Sequence, residues 1–371
     1  MEFIQSFLST FSPFEWYCML AAFGLLLLVT LYQLIWFWQP LYKHNRKVYA
    51  VQDALPPVSI IVCATNEYKQ LRRLLPLLLT QDYPCYEVVV VNDRSDDNSE
   101  LVLSVMQTEY PHLQIRNTYT DDRFGRSPSL ALGVGIRAAQ YDLVLCTEAH
   151  CRIPDTQWLR TMASRYGGQA EIVLGHTTHP ACPWWIRCDF LQQSLHYLGH
   201  AATGGPYMGV GTNVLFKKEL LFRNNGFNVR LTREHLPIYV FIAEVSTSKN
   251  CHICAEPSGI THSGLKTNLS LWRIYKKMER NSSQLHPKGV SPAIEAFLRL
   301  LFYAASLWGL LYFMPNMAMM IVFGSLIFLR LLSVSILYLF LRRRLNEKGL
   351  FLPMIIWDFI SPFVTLSPLF H

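Results

Sequence analysis

The chain has 371 residues, of which 51% are hydrophobic and 16% charged; its formal charge is +7 and its mean hydropathy +0.19. So many charges exclude a chain made only of membrane spans, and the hydropathy leans away from a wholly soluble one, so a soluble domain with attached spans is expected. No Arg/Lys-rich tail points to nucleic acid, and the nine scattered cysteines suit buried free thiols in a reducing compartment rather than a disulfide framework.

Trp16 to Trp38 contains no charged residue. As a helix it covers about 35 Å, enough to cross a bilayer. It is too long for a signal-peptide core and lacks a small-residue cleavage site, so it reads as a retained first span. With the basic linker that follows (Lys43, Arg46, Lys47), it forms a first unit, residues 1–50.

Residues 51–295 alternate short β-rich runs with helical ones. Val58–Ala64 (VSIIVCA) predicts a buried strand, Lys69–Leu79 a helix and Glu87–Val91 a second strand ending at Asn92-Asp93-Arg94-Ser95. A helix through Met106, a strand at Gln114–Asn117, a helix at Ser129–Ala139 and a strand at Tyr141–Thr147 follow. This alternation predicts an α/β fold with a mainly parallel sheet covered by helices on both faces. Ligands in such folds bind beyond the carboxyl ends of the strands. The polar clusters fall there: Asn66-Glu67, Asp93 with Asp96, and Glu148-Ala149-His150. Each taken singly reads equally well as a solvated turn. No GxxxxGK[ST] run occurs, and Gly133 and Gly135 fall inside a helix, so neither a P-loop nor a Rossmann fingerprint is present. Cys251 and Cys254 form a CxxC with His262 downstream; this lacks the second half of a structural zinc site and reads as packing.

Residues 296–371 form the third unit. Leu300 to Leu341 is apolar except for Arg330 and is about twice a bilayer in length, so two spans are expected, at about 297–314 and 318–341, turning at Pro315-Asn316. Leu350 to Phe370, interrupted by Pro353, Asp358, Pro362 and Pro368, is expected to cross as well, the alternative being a broken helix in the interface. Arg330 and Asp358 either pair across neighbouring helices or snorkel to an edge. The clusters Lys43/Arg46/Lys47 and Arg342/Arg343/Arg344/Lys348 orient the first span outside-to-inside, which puts the central domain in the cytoplasm of an inner or plasma membrane.

Four segments, in order, resemble the family 2 glycosyltransferases of GT-A fold: Pro57–Glu67 (PVSIIVCATNE), Thr80–Ser99, Gly125–Asp155 and Gly204–Phe227 (GGPYMGVGTNVLFKKELLFRNNGF). The resemblance implies a nucleotide-sugar donor, UDP being the commonest in the family, with Asp93 on the base and Glu67 in the same pocket. It also implies Arg126, in place of a family Lys, near the diphosphate, and an acceptor-side segment containing Gly209.

Three departures stand out. The DxD motif reads Glu148-Ala149-His150, so Glu148 would serve the nucleotide-sugar and, with His150, a divalent metal; the imidazole suits Mn2+ better than Mg2+. The acidic pair that supplies the family's catalytic base reads Glu234-His235, after Thr232-Arg233. The QxxRW helix keeps Arg280 for the diphosphate but not its Trp, leaving Trp272 as a stacking surface for the acceptor. The resemblance therefore implies inverting transfer of a single sugar to a lipid-linked or glycan acceptor, with Glu234 as base and His235 in reserve. Trp184-Trp185 with Arg187 are expected at the membrane interface or, equally, in the core. Alternatives are a catalytically inactive membrane scaffold of the same fold, a transporter subunit, for which the spans are too few, and a metal-dependent hydrolase built on His150, His176, His179 and Glu234.

Overall fold

The computed structural model describes residues 11–38, 55–118, 127–227 and 237–367. Helix α1 spans Pro13–Gln33 and runs on as a π-turn, Leu34–Trp38. A capping box starts it. The Glu15 N–H donates to Ser12 Oγ at 3.3 Å and the Ser12 N–H to Glu15 Oε2 at 2.7 Å, while Pro13 sits where no N–H is needed.

The α/β domain follows as β1 (Val58–Ala64), α2 (Tyr68–Leu79), β2 (Tyr86–Asp93), α3 (Ser99–Glu109), β3 (Leu113–Thr118), α4 (Pro128–Ala138) and β4 (Leu143–Glu148). Then come β5 (Cys151–Arg152), α5 (Trp158–Ala163), β6 (Ile172–Gly175), β7 (Thr177–Thr178), α6 (Trp184–Gly204), β8 (Val214–Lys217), α7 (Glu219–Arg223), α8 (Pro237–Val245), β9 (Cys251–Cys254) and β10 (Thr261–Ser263). One seven-stranded sheet has the order β3-β2-β1-β4-β8-β6-β9. It is parallel from β3 to β4 and between β6 and β9; β8 alone runs antiparallel to both its neighbours. A small sheet, β5-β10-β7, lies apart from it.

Both faces of the large sheet are covered, which is why its strands are continuous Val/Ile runs rather than alternating ones. Ile61, Val89 and Val144 pack with Leu132 and Ile136 of α4 and with α6, whereas Ile60, Val62, Val88 and Val90 pack with Leu71, Leu74 and Leu78 of α2 and Trp158 of α5. Gly135 lets α4 sit down on the sheet: a Cβ there would lie 2.7 Å from Ile61 Cγ2.

Helix α6 is buried almost throughout although it carries Asp189, Gln192, Gln193, Ser194, His196 and His200. Buried polar groups need partners, and several come from the chain's distant parts. Asp189 accepts from Trp272 Nε1 at 2.8 Å and from Lys276 Nζ at 3.2 Å, and Gln192 accepts from Trp357 Nε1 at 2.9 Å. Gly199 admits the Trp36 carbonyl, which a side chain there would strike. Gly199→Ala is therefore expected to lower stability by about 1–3 kcal/mol, read as a fall in Tm of the detergent-solubilised protein.

The remaining helices are α9 (Leu269–Leu285), α10 (Ser291–Tyr312), α11 (Met317–Arg344) and α12 (Phe351–Leu366). Among the described residues, three helical stretches are long and apolar enough to cross a membrane: Pro13–Trp38, Pro287–Tyr312 and Met317–Arg344. They meet at their far ends, where Asn316 Nδ2 donates to Glu15 Oε1 at 3.1 Å while its own Oδ1 caps α11 through the Ala318 and Met319 N–H groups.

Helix α12 covers the last expected span as far as Leu366. It has only 16 residues, about 24 Å, and both its ends lie beside the α/β domain. It begins just after Glu347 and Lys348, which accept from Arg187 of α6. It ends with Thr365 and Leu366 bordering a cleft with Arg280 of α9 and Gly289 at the foot of α10. Its exposed stripe is Leu352, Ile356, Phe359, Phe363 and Leu366, at helical spacing. In a cysteine-depleted background, cysteines placed at Lys348 and Ser367 are expected to react with an impermeant maleimide from the same side of the membrane; labelling from opposite sides would mean a crossing.

Arg330 and Asp358, the two charges inside apolar segments, are paired. Asp358 accepts from Arg330 Nη2 (2.6 Å) and Nε (3.0 Å), Arg299 Nη1 (3.0 Å) and Tyr303 Oη (2.6 Å). Glu295 accepts from Arg299 Nη2 (2.6 Å) and Gln33 Nε2 (3.2 Å), and Gln33 Oε1 accepts from Arg330 Nη1 (3.1 Å). The ring thus closes across α1, α10, α11 and α12, with two acids balancing two guanidinium groups.

Candidate active site

The carboxyl ends of β1, β2 and β4 lie side by side, with Cys63 in register with both Val91 and Glu148. This sets Glu67, Asp93 and Glu148 along one edge of the sheet. The loops that carry the first two are clasped together. Asn66, at φ 56°, takes the left-handed conformation that asparagine tolerates; its N–H donates to Ser95 Oγ at 2.9 Å and its Oδ1 accepts from the Asp96 N–H at 2.7 Å. The Tyr68 N–H donates to Asp97 Oδ2 at 3.1 Å. Asp93 is buried and accepts from Thr118 Oγ1 at 2.5 Å and Arg94 Nε at 3.2 Å.

A cavity of about 240 Å³ opens at this edge, lined by Cys63, Glu67, Glu148, His150, Gly211 and Tyr275, with Pro128, Leu132, Ile238, Leu271 and Ile274 as apolar walls. Glu148 Oε2 lies 3.4 Å from His150 Nε2, a buried nitrogen without a hydrogen-bond partner among the described residues. A smaller chamber continues inward past Glu148, Gly211 and Tyr275, lined by Thr177, His179, Gln193, Ser194, Thr212 and Tyr239. Burial pushes the His179 imidazole down to about 3, so it is neutral at physiological pH.

Burial raises the Glu67 carboxyl above the ordinary range; neighbouring Glu148 adds to the rise and His150 opposes it. A group raised on folding binds more protons folded than unfolded, so its contribution to stability is present in acid and is lost as pH climbs through the raised value. Glu67→Gln is accordingly expected to raise Tm at neutral pH by about a degree or two, with the gain vanishing near pH 4; thermal melts across that range test it.

Of the residues singled out from the sequence, Glu67, Glu148 and His150 share the cavity, with Asp93 on the adjoining strand end. Arg126, Glu234 and His235 lie outside the described residues; Pro128 and Pro237, just beyond those two segments, both line the cavity. Arg280 does not join them: it is exposed and borders the cleft at the foot of α10. Trp272 is not a free stacking surface either. It is 1% exposed, its N–H is held by Asp189, and Trp185 packs edge-on against it at 5.1 Å. Gly209 serves close packing, since a Cβ there would lie 2.7 Å from Ile242 Cγ1, while Gly211 faces the cavity. Tyr275 and Ile238 were not anticipated; Tyr275 lies one helical turn from Trp272, and that spacing was the available signal.

Among the described residues no group of three or more His, Cys, Asp or Glu could hold a metal. His176 lies 3.6 Å from Glu347 and His179 packs on Phe190 at 4.3 Å, while Glu234 of the hydrolase alternative lies outside the described residues. Cys251 and Cys254 are buried, and His262 Nδ1 bonds Thr178 Oγ1 at 2.7 Å, which leaves the CxxC a packing element.

Residues 59–220 match the family described as Glycosyl transferase family 2. Among curated proteins, the chain is 26% identical over 98 residues to a poly-beta-1,6-N-acetyl-D-glucosamine synthase of Staphylococcus epidermidis, covering 26% of this chain and 23% of that protein. It is 28% identical over 109 residues to the Staphylococcus aureus protein of the same name, covering 29% and 25%. The chain thus spans about a quarter of the length of these relatives. Among solved structures, a mannosyltransferase from Pyrobaculum calidifontis in complex with GDP-Man and Mn2+ aligns over 95% of this chain and 99% of its own, with TM-score 0.51 and 18% identity, a likeness of fold. The family match over residues 59–220, with the sheet order and the likeness of fold, identifies a family 2 glycosyltransferase domain of GT-A fold within the α/β part of this chain, which apolar helices flank.

Proposed function

We propose that this protein transfers a sugar from a nucleoside-diphosphate donor to a membrane-associated acceptor, with its α/β domain on the cytoplasmic side. The observation that carries this reading is the row of Glu67, Asp93 and Glu148 at adjacent strand ends, of which Glu67 and Glu148 open with His150 into one cavity. Asp93, fixed by Thr118 and Arg94, is the group for the nucleotide base. Arg126 is the cation for the diphosphate, as the family resemblance implies. Inversion follows if the acceptor hydroxyl attacks the anomeric carbon opposite the diphosphate while Glu234, with His235 in reserve, takes its proton. Positioning and charge neutralisation supply most of the barrier reduction.

Glu148 and His150 suit a divalent metal as an oxygen and a nitrogen donor, and the unpartnered His150 nitrogen supports this. When bound, the metal would neutralise the departing diphosphate. The mixed donor pair favours Mn2+ over Mg2+. Because the matched relatives are named as N-acetylglucosamine polymer synthases, UDP-N-acetylglucosamine is the first donor to test. Release of UDP from it, dependent on added metal and acceptor lipid, supports the reading; nucleotide binding with no release from any UDP- or GDP-sugar favours an inactive scaffold. That second reading rests on Glu148-Ala149-His150 standing where the family carries two aspartates.

A further inference from the structure

A second cleft, separate from the donor cavity, lies at the foot of α10. It measures about 380 Å³, and Lys276, Glu279, Arg280, Gln284, Val290 and Leu366 line it. The character of the exposed surface changes across it. On one side α9 exposes Arg273, Lys277 and Arg280, four and three residues apart on a single helical face. On the other, α10 exposes Ile294, Phe297 and Leu301, and α12 exposes Phe363 and Leu366. Since α10 belongs to a stretch long and apolar enough to cross a membrane, the change from basic to apolar marks the level of the lipid headgroups.

The charges in the cleft are unevenly committed. Glu279 is held by Lys276 Nζ at 2.6 Å, and the same ammonium meets Asp189 at 3.2 Å. Arg280 has no ion-pair or hydrogen-bond partner among the described residues. We propose that this cleft seats the phosphate of an anionic phospholipid from the adjoining leaflet, held by Arg280, with the acyl chains along Ile294, Phe297 and Leu301. A guanidinium beside an apolar wall is the chemistry that recognises such a headgroup.

The lipid would also act on the donor cavity, a consequence that rests on the function proposed above. Helix α9 is the wall between the two: Leu271, Ile274 and Tyr275 face the cavity, and Lys276 and Arg280 face the cleft. A headgroup in the cleft fixes α9, and with it the cavity wall.

Native mass spectrometry of the full chain in detergent tests the binding itself, independently of turnover. Phosphatidylglycerol, phosphatidylcholine and inorganic phosphate are the probes. One phosphatidylglycerol should be retained in preference to phosphatidylcholine. Retention should fall several-fold in Arg280→Glu, less in Arg280→Lys, and not at all in Arg72→Glu, an exposed control on α2. Equal retention in wild type and Arg280→Glu, no preference for the anionic lipid, or displacement of the lipid by inorganic phosphate at matched concentration would each overturn the proposal. A protein that binds the lipid but turns over no nucleotide-sugar would leave it standing while removing the transferase reading.

Discussion

Glu148→Gln is expected to reduce kcat by about 10²- to 10³-fold, the loss associated with removing a group that stabilises charge developing in the transition state. Glu148 sits at the end of β4, facing the cavity, with His150 Nε2 3.4 Å from its carboxylate. The amide keeps the shape and removes the charge, so any metal affinity should fall with it. About a third of the side chain is exposed, so the fold should not depend on the charge, and an unchanged Tm beside a collapsed kcat is the expected pair of readings. His150→Ala should act in the same direction but less, since the carboxylate remains. If Glu148→Gln turned over donor at the wild-type rate, this position would have no part in the chemistry.

The second large effect is structural. Asp358→Ala is expected to destabilise the helical unit by about 3–5 kcal/mol, because it leaves the buried Arg330 guanidinium without a carboxylate and takes one of two from Arg299. Asp358 is fully buried and takes bonds from Arg299, Arg330 and Tyr303. The damage belongs to the stranded Arg330 charge rather than to the missing aspartate. Removing Asp358 and Arg330 together, as Asp358→Leu/Arg330→Met, should therefore recover much of the loss, with Arg299 still paired to Glu295 at 2.6 Å. Tm and monodispersity in detergent check both variants. A double variant as unstable as the single one would show that the network does more than balance charge.

The first half of the α/β domain could be read from the sequence because each of its first strands is buried on both faces and so declares itself as an apolar run ending in a polar loop. Val58–Ala64 and Tyr86–Asp93 are examples, and the acidic residues at their ends fall where strand ends meet. The later strands are different. Ile172–Gly175 and Cys251–Cys254 have four residues each, too few to show a period, and nothing local marks β8 as antiparallel. Helix α6 hid its role because its partners are far off in sequence: Trp272 lies 83 residues from Asp189, and Trp357 lies 165 from Gln192. Trp272 was misread for the same reason. An aromatic on an amphipathic helix suggests a surface, and only the fold reveals the buried aspartate that holds its N–H. Helix α12 carries enough apolar residues to suggest a span, but where its two ends lie is set by Arg187 binding Glu347 and Lys348 and by the packing at the foot of α10, neither of which has a local signature.

The most direct test of a working transferase is release of nucleoside diphosphate by purified protein in nanodiscs, offered UDP-N-acetylglucosamine and a panel of other UDP- and GDP-sugars with Mn2+, Mg2+ or no metal, in wild type and in Glu234→Gln. The expected result is metal-dependent release from one donor, strongest with Mn2+ and abolished by the substitution. Binding of nucleotide with no release from any donor, even with lipid-phosphate acceptors added, would contradict it and leave a fold that has kept its pocket without its chemistry.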